Sequence, residues 1–331
     1  MTEVLLISQQ DIKSALDMEK TIEVLEKVYR AHGNNQVNMP SKITLDLGES
    51  NDWPLYGGSY NAMPAYIGED LDVAGIKWVW GFEDNPKKGL PYIGGTILLN
   101  DPRTGEQLAI MDGSYITDIR TGASAGVAAK YLAKKGAQVV SIIGAGVVGR
   151  MSLIAISKVL DIKKAFVADI RSEASERFAS EMSTLLGIDV IAANSNKEAV
   201  EDADVIVTAT IANEALVMKD WLKEGSLVIT LGSFQELDEN IPLSTDKLIV
   251  DSWAQNSHRG ELLKLVHAGK ITETDVYAEL PEIIVEKKVG RESDKEKICA
   301  SIIGMGSTDI GVAGTLYKQL SKKLETKFNM R

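Results

Sequence analysis

Val139-Val140-Ser141-Ile142-Ile143-Gly144-Ala145-Gly146-Val147-Val148-Gly149 is an apolar run that ends in a glycine turn. A helix-like segment follows from Met151 to Leu160, then a second apolar run, Ala165-Phe166-Val167-Ala168, closed by Asp169. The order is strand, G-x-G-x-x-G, helix, strand, acid, with the acid twenty residues past Gly149. In that context the glycines point to dinucleotide binding. Gly144 permits the tight turn, Gly146 lets the backbone approach a pyrophosphate, and Gly149 lets helix pack on strand. The helix start at Val147 and Val148 offers unpaired N–H groups and a partial positive charge to phosphates. Asp169 is placed to accept from the ribose hydroxyls and to repel a 2′-phosphate, so NAD is expected over NADP. Arg171, two residues on, softens that preference. Thr121 and Thr210 complete the set of cofactor-binding candidates.

Working outward, the chain has the composition of an ordinary globular protein, 44% hydrophobic and 25% charged over 331 residues. That length suggests two domains. A formal net charge of −11 argues against a nucleic-acid binder, which needs a basic footprint, and against docking on an anionic membrane. No apolar run is long enough for a membrane helix. The first eight residues lack the basic and apolar regions of a signal peptide. Cys299 is the only cysteine, so no internal disulfide is possible and a cytoplasmic setting is expected. Cys299 reads as a small buried residue rather than a reactive thiol. None of His32, His258 and His267 stands in a metal-ligand spacing, so no metal is expected. No G-x-S-x-G element is present for serine-hydrolase chemistry.

On the N-terminal side, Met18, Ile22, Leu25, Val28 and Tyr29 repeat at helical spacing behind Asp17, a plausible N-cap. From Ile43 to Leu99 the pattern changes to short β-like runs split by Gly, Pro and Asn, a hairpin-like and largely antiparallel region. A helix rich in small residues is expected from Asp118 to Lys134, with Thr117 as N-cap. Beyond Asp169, Glu173 to Leu186 and Lys197 to Glu201 read as helices. They alternate with strands at Asp189-Val190-Ile191, Val205 to Ala209, Leu227 to Thr230 and Leu248 to Val250. Alternation with short links implies a parallel sheet covered on both faces. Thr308 to Leu324 reads as a last helix. The nucleotide unit sits in the middle of the chain, so this helix is expected to return to the N-terminal region.

Three cations are candidates for holding a substrate. Arg120 falls in the opening turn of the helix expected from Asp118. A cation there is unfavourable against the macrodipole unless an anion joins it, and the alternative is a solvated arginine or one paired with Asp118. Lys77 lies between Ile76 and Trp78. Period-two alternation puts Lys77 on the solvent face and the tryptophans in the core. Lys42, at the head of an alternating strand, invites the same reading.

Taken together, these residues resemble the ornithine cyclodeaminase/μ-crystallin family, which includes an alanine dehydrogenase branch. The matching segments are Ala62 to Ala65, Ala74 to Val79, Asn85 with Gly89-Leu90-Pro91, Asn100-Asp101-Pro102, Ala109 to Gly113, Arg120 to Ala123, Ile143 to Gly146, and Gly304 to Asp309. They cover nearly the whole chain. The resemblance implies an α/β architecture: a Rossmann dinucleotide-binding domain inserted in a discontinuous α+β substrate-binding and dimerisation domain. The expected bounds are 117–307 for the first and 1–116 with 308–331 for the second, with a homodimer formed through the substrate domains. It further implies that Lys42, Lys77 and Arg120 hold a substrate α-carboxylate, and that Lys77 lies near the reacting nitrogen and acts as the catalytic residue. The expected chemistry is NAD(H)-dependent oxidoreduction at the C–N bond of a small amino or imino acid. Ornithine cyclodeamination and a non-catalytic, cofactor-dependent ligand-binding role are the alternatives. One departure stands out. Cyclodeaminases and the alanine dehydrogenase branch carry a catalytic aspartate where this chain has Phe234. Glu236 and Asp238 are nearby carboxylates out of register with it, and the loss weakens the cyclodeaminase reading most.

Overall fold

The computed structural model describes residues 3–48 and 56–329. By internal contacts the chain divides into two compact units: Met1–Arg120 with Met305–Arg331, and Thr121–Gly304.

The first unit begins with β1 (Glu3–Ile7), α1 (Gln9–Ala15) and α2 (Met18–Gly33). Asp17 caps α2, its side chain accepting from the Lys20 N–H at 2.8 Å. Such a cap contributes roughly 1 kcal/mol, and it starts a helix that buries Ile22, Leu25, Val28 and Tyr29. The strands β2 (Val37–Asn38), β3 (Ile43–Asp46), β4 (Gly58–Ile67), β5 (Val73–Phe82), β6 (Ile93–Asn100) and β7 (Gln107–Asp112) follow. They pair antiparallel from β2 through β7, with β3 also on β4. β1 adds to β7 in parallel, and the final strand, Lys327–Asn329, adds antiparallel to β1. One face of this sheet is covered by the final helix, Gly306–Leu320, which packs on β4, β5 and β6. The close approach has a visible cause at Gly75, where a Cβ would stand 2.4 Å from the Leu98 carbonyl oxygen and 3.2 Å from Ile310 of that helix.

Gly75 and Lys77 share that covered face, because side chains two apart point the same way. Lys77 is 1% exposed, whereas Trp78 is 39% exposed. The alternation reading of β5 is therefore inverted: the lysine is inside and the aromatic face is outside. Alternation separates two faces but does not say which one a helix from the far end of the chain will cover. On the uncovered face Tyr60 stacks on Trp78 at 5.2 Å, and Phe82 meets Tyr60 and Trp80 edge-on.

The helix α3 runs over Ser114–Leu132. It starts four residues before the expected Asp118. The Asp112 side chain accepts from the Ser114 and Tyr115 N–H groups, both at 3.2 Å, and so caps it. Thr117 is not the cap, and Arg120 lies in the second turn, away from the unpaired N–H groups of the helix start. Ile116 and Ile119 are buried, which anchors this early turn.

The second unit is a parallel sheet of β8 (Val139–Ile143), β9 (Lys164–Ala168), β10 (Asp189–Ala192), β11 (Val205–Thr208), β12 (Leu227–Leu231), β13 (Lys247–Val250), β14 (Ala278–Glu279) and β15 (Ile298–Ile302). The order is β10-β9-β8-β11-β12-β15-β13-β14. Its helices include α4 (Val147–Val159) and α5 (Ser172–Leu186). The strand order reverses its progression between β8 and β11, the switch point where such sheets bind ligands beyond the strands' carboxyl ends. Every residue of β15 is buried. With no alternation to mark it, that strand was absent from the sequence-based expectation. The fold is the expected α/β class with a Rossmann-type sheet.

Candidate functional site

In the second unit the glycine turn joins β8 to α4. Gly144 has φ +109°, and a Cβ there would stand 2.6 Å from the Ala209 carbonyl oxygen and 3.0 Å from the Thr210 methyl. At Gly149 a Cβ would stand 2.3 Å from the Gly144 carbonyl oxygen. Both positions require glycine sterically. Gly146 differs: no atom beyond its neighbours lies within 4 Å of where a Cβ would be. It is the N-cap of α4 and provides no side-chain acceptor. Val147, the first helical residue, is exposed, and Val148 is half-buried. The turn is thus an open cradle at an uncapped helix N-terminus, which suits a pyrophosphate.

Asp169 follows β9 directly. Its Oδ2 accepts from the Ala145 N–H at 2.9 Å and its Oδ1 from the Arg171 N–H at 3.0 Å. The Arg171 guanidinium lies 3.6 Å from the same carboxylate and is otherwise exposed. Thr210 follows β11 and abuts Gly144. Thr121 is half-buried on α3, next to Gly122, whose position presses against Met151 of α4. The structure therefore brings Gly144, Gly146, Val147, Val148, Gly149, Asp169 and Thr210 together at the carboxyl ends of β8, β9 and β11, with Thr121 beside α4.

In the first unit the charged cluster lies under the sheet. Lys77 Nζ stands 2.7 Å from Asp309 Oδ1, and Arg120 Nε stands 2.9 Å from the same oxygen. Asp309 is fully buried and Arg120 is 6% exposed. Lys77 Nζ also donates to Thr117 Oγ1 at 3.2 Å, and Thr117 donates onward to the Gly113 carbonyl at 2.7 Å. Burial pushes the Lys77 ammonium down to about 8, against the opposing charge of Asp309 and with help from Arg120. Burial also pushes the Asp309 carboxyl up, but Arg120 and Lys77 win and hold it below the usual carboxylate range. Asp118, one turn along α3 from Ser114, is raised to about 6 by burial, with Arg120 opposing. Arg120 is thus buried rather than solvated, and it is ion-paired to Asp309. Lys42 precedes β3 and is half-buried, and the ion pairs of Asp309 do not include it.

Asp309 is the residue that sequence reasoning missed. It reads as an ordinary acid in the first turn of a helix, and its partners lie on β5 and α3. The only available signal was its place in the Gly304 to Asp309 segment.

Around Phe234, the carboxylates of Glu236 and Asp238 are both engaged by backbone N–H groups. Glu236 is fully buried and its Oε1 accepts from the Thr210 N–H at 2.8 Å. Glu261 accepts from the Glu236 and Leu237 N–H groups at 2.8 and 3.1 Å. Burial raises both acids to about 7. Asp238 is engaged with the Asn240 N–H at 3.0 Å. Cys299 is fully buried on β15, and burial pushes its thiol up. Among the described residues no group of three or more His, Cys, Asp or Glu is arranged to hold a metal, and no helix is long and apolar enough to cross a membrane.

A Rossmann-type parallel sheet in one unit and a mixed sheet with a buried Lys-Asp-Arg cluster in the other define an α/β protein of the dehydrogenase type. The profile of the ornithine cyclodeaminase/mu-crystallin family matches residues 2–324, and the chain belongs to that family. It is 34% identical over 330 residues to the alanine dehydrogenase of Archaeoglobus fulgidus, covering 98% of each chain. Among solved structures it is similar to Thermococcus litoralis Δ1-pyrroline-2-carboxylate reductase in complex with NADH and L-proline. There the TM-score is 0.91 at 35% identity, with 99% of this chain and 100% of that one covered. An archaeal alanine dehydrogenase dimer with bound NAD matches with TM-score 0.91 and 34% identity, over 99% of this chain and 100% of that one.

Proposed function

We propose that this protein is an NAD(H)-dependent oxidoreductase acting at the carbon–nitrogen bond of a small α-amino or α-imino acid, as an imine reductase or an amino-acid dehydrogenase. The observation that carries the reading is the buried pair of cations, Lys77 and Arg120, on one carboxylate oxygen. Cations are costly to bury, and a site that keeps two of them is suited to an anionic ligand. Nicotinamide chemistry supplies the hydride. Arg120 binds the substrate carboxylate with a charge-assisted hydrogen bond, and Lys42 adds to the clamp. Lys77 has three donors, of which two meet Asp309 and Thr117. The third serves the substrate nitrogen. An ammonium held near 8 gives up its proton readily at neutral pH, which suits proton donation to an imine as its carbon is reduced.

The glycine turn, Thr121 and Thr210 hold the dinucleotide, and the Asp169 carboxylate favours NAD over NADP. Residues 1–116 with 308–331 take the substrate and dimerise, and residues 117–307 hold the cofactor. The uncovered sheet face, with Ile43, Leu45 and Trp78 exposed, suits the proposed homodimer. The lone cysteine suits the cytoplasm. The cyclodeaminase reading gains nothing from the Phe234 region, because Glu236 and Asp238 are both engaged in holding the local backbone. The test is a panel of 2-oxo acids with ammonia or methylamine, together with cyclic imines, each followed by loss of NADH absorbance. Ammonia release from ornithine without net NADH change would instead support the lyase.

A further inference from the structure

Asp309 makes poor use of its own hydrogen-bonding capacity. Both cations crowd onto Oδ1, while Oδ2 is buried with no hydrogen-bond partner among the described residues. An unpaired buried acceptor costs about 1–3 kcal/mol. Two cations on one oxygen also repel each other. An acid placed for stability alone would spread its partners over both oxygens, and buried ion pairs add little to stability in any case. What the arrangement does achieve is to fix one cation from β5 and one from α3 against a common point on the final helix.

We propose that Asp309 is a positioning residue for the reaction: it aligns the Lys77 ammonium with the Arg120 guanidinium and sets how readily Lys77 releases its proton. The groups that face Lys77 support this. From the final helix comes Asp309, from α3 come Thr117, Arg120 and Asp118, and across the sheet stand the apolar Met63 and Ile97. Asp309 is the one anion in ion-pair contact with Lys77 among the described residues, so it does most to keep that ammonium charged inside the protein. Burial and Arg120 act in the opposite sense. The buried contact gives the carboxylate more leverage than an exposed pair would have.

The inference rests on the proposed role of Lys77, and the experiment separates the two. The alkaline limb of kcat/KM for imine reduction is measured in the intact enzyme, in Lys77→Met and in Asp309→Asn. The substrate's own titration is common to all three and cancels. Asp309→Asn should move the limb at least one pH unit toward acid and reduce kcat at neutral pH about tenfold or more. Asp309→Glu, which keeps the charge, should leave the limb near its original place. A limb unmoved in Asp309→Asn, with Lys77→Met inactive, overturns the inference and leaves Lys77 standing. An active Lys77→Met removes the reading of Lys77 itself. Asp309→Asn leaves two buried cations without their anion and is prone to unfold. The double variant Lys77→Met/Asp309→Asn is the safer protein. Its kcat should equal that of Lys77→Met alone, and a further tenfold loss would show Asp309 acting independently of Lys77 and defeat the proposal.

Discussion

The carboxylate of Asp169 accepts a hydrogen bond from the backbone N–H of Ala145 at 2.9 Å. The acid expected at the ribose therefore also braces the glycine turn expected at the pyrophosphate. One side chain thus couples the positions proposed for the ribose and the pyrophosphate, so a substitution there tests two things unless it is chosen to keep the brace.

Asp169→Asn keeps an oxygen for Ala145 and removes the charge. Repulsion of a 2′-phosphate falls, and Arg171, whose guanidinium now lies 3.6 Å from the carboxylate, becomes available to it. The NAD/NADP preference should narrow or invert, while Asp169→Ala should also weaken binding of both dinucleotides. Kd values for NADH and NADPH measured by fluorescence decide this. A wild-type protein that binds NADPH more tightly than NADH would refute the role given to Asp169.

Arg120→Ala should raise the substrate KM by roughly 10- to 100-fold, from the loss of a charge-assisted hydrogen bond of about 1.5–3 kcal/mol. Affinity for NADH should change little. If both affinities fall together, Arg120 serves the fold or the cofactor rather than the substrate.

The Glu236–Glu261 pair predicts a pH effect on stability. Both acids titrate near 7 in the folded protein, against an ordinary value of 4.5. A carboxyl with a raised folded-state value contributes stability below its unfolded value, and that contribution is lost as pH rises through the folded one. The window is therefore about 4.5 to 7, with a loss of up to roughly 3 kcal/mol per group. Glu236→Gln keeps an acceptor for the Thr210 N–H and removes the titration. Its melting temperature relative to wild type should improve from pH 5 to pH 8. An equal difference at both pH values would mean that Glu236 does not titrate in this range.

What was legible in the sequence was what is encoded locally. The turn from Gly144 to Gly149 shows locally in the positive φ of Gly144 and the close approach of Gly149 to the Gly144 carbonyl, and the Asp17 cap needs only Lys20. Asp112 caps α3 equally locally, although the expected start was Asp118 with Thr117 as its cap. The face of β5 was not legible. Lys77 is inside because the final helix covers it, and nothing within Ile76-Lys77-Trp78 carries that information. The same distance in sequence hid Asp309, whose partners come from two other elements. β15 was hidden for the opposite reason: Ile298 to Ile302 is buried on both sides and so has no period to read.

Lys77 is the position on which the catalytic reading depends. Its ammonium sits 2.7 Å from Asp309, is 1% exposed and is held near 8. A positioned proton donor contributes about 10²–10⁴-fold. Lys77→Met fills the space with an unbranched apolar chain and leaves Asp309 its bond to Arg120, so the first unit should stay folded. Its kcat for imine reduction should fall at least about 100-fold. Lys77→Arg separates charge from proton transfer. It supplies a cation to Asp309 and a partner for the substrate, but its guanidinium does not release a proton in this pH range. It should recover substrate binding and not kcat, and the alkaline limb of the profile should vanish with the lysine. A folded Lys77→Met with near-normal kcat on the best substrate would end this assignment and make Asp118, the remaining acid near the Lys77–Arg120 pair, the next residue to test.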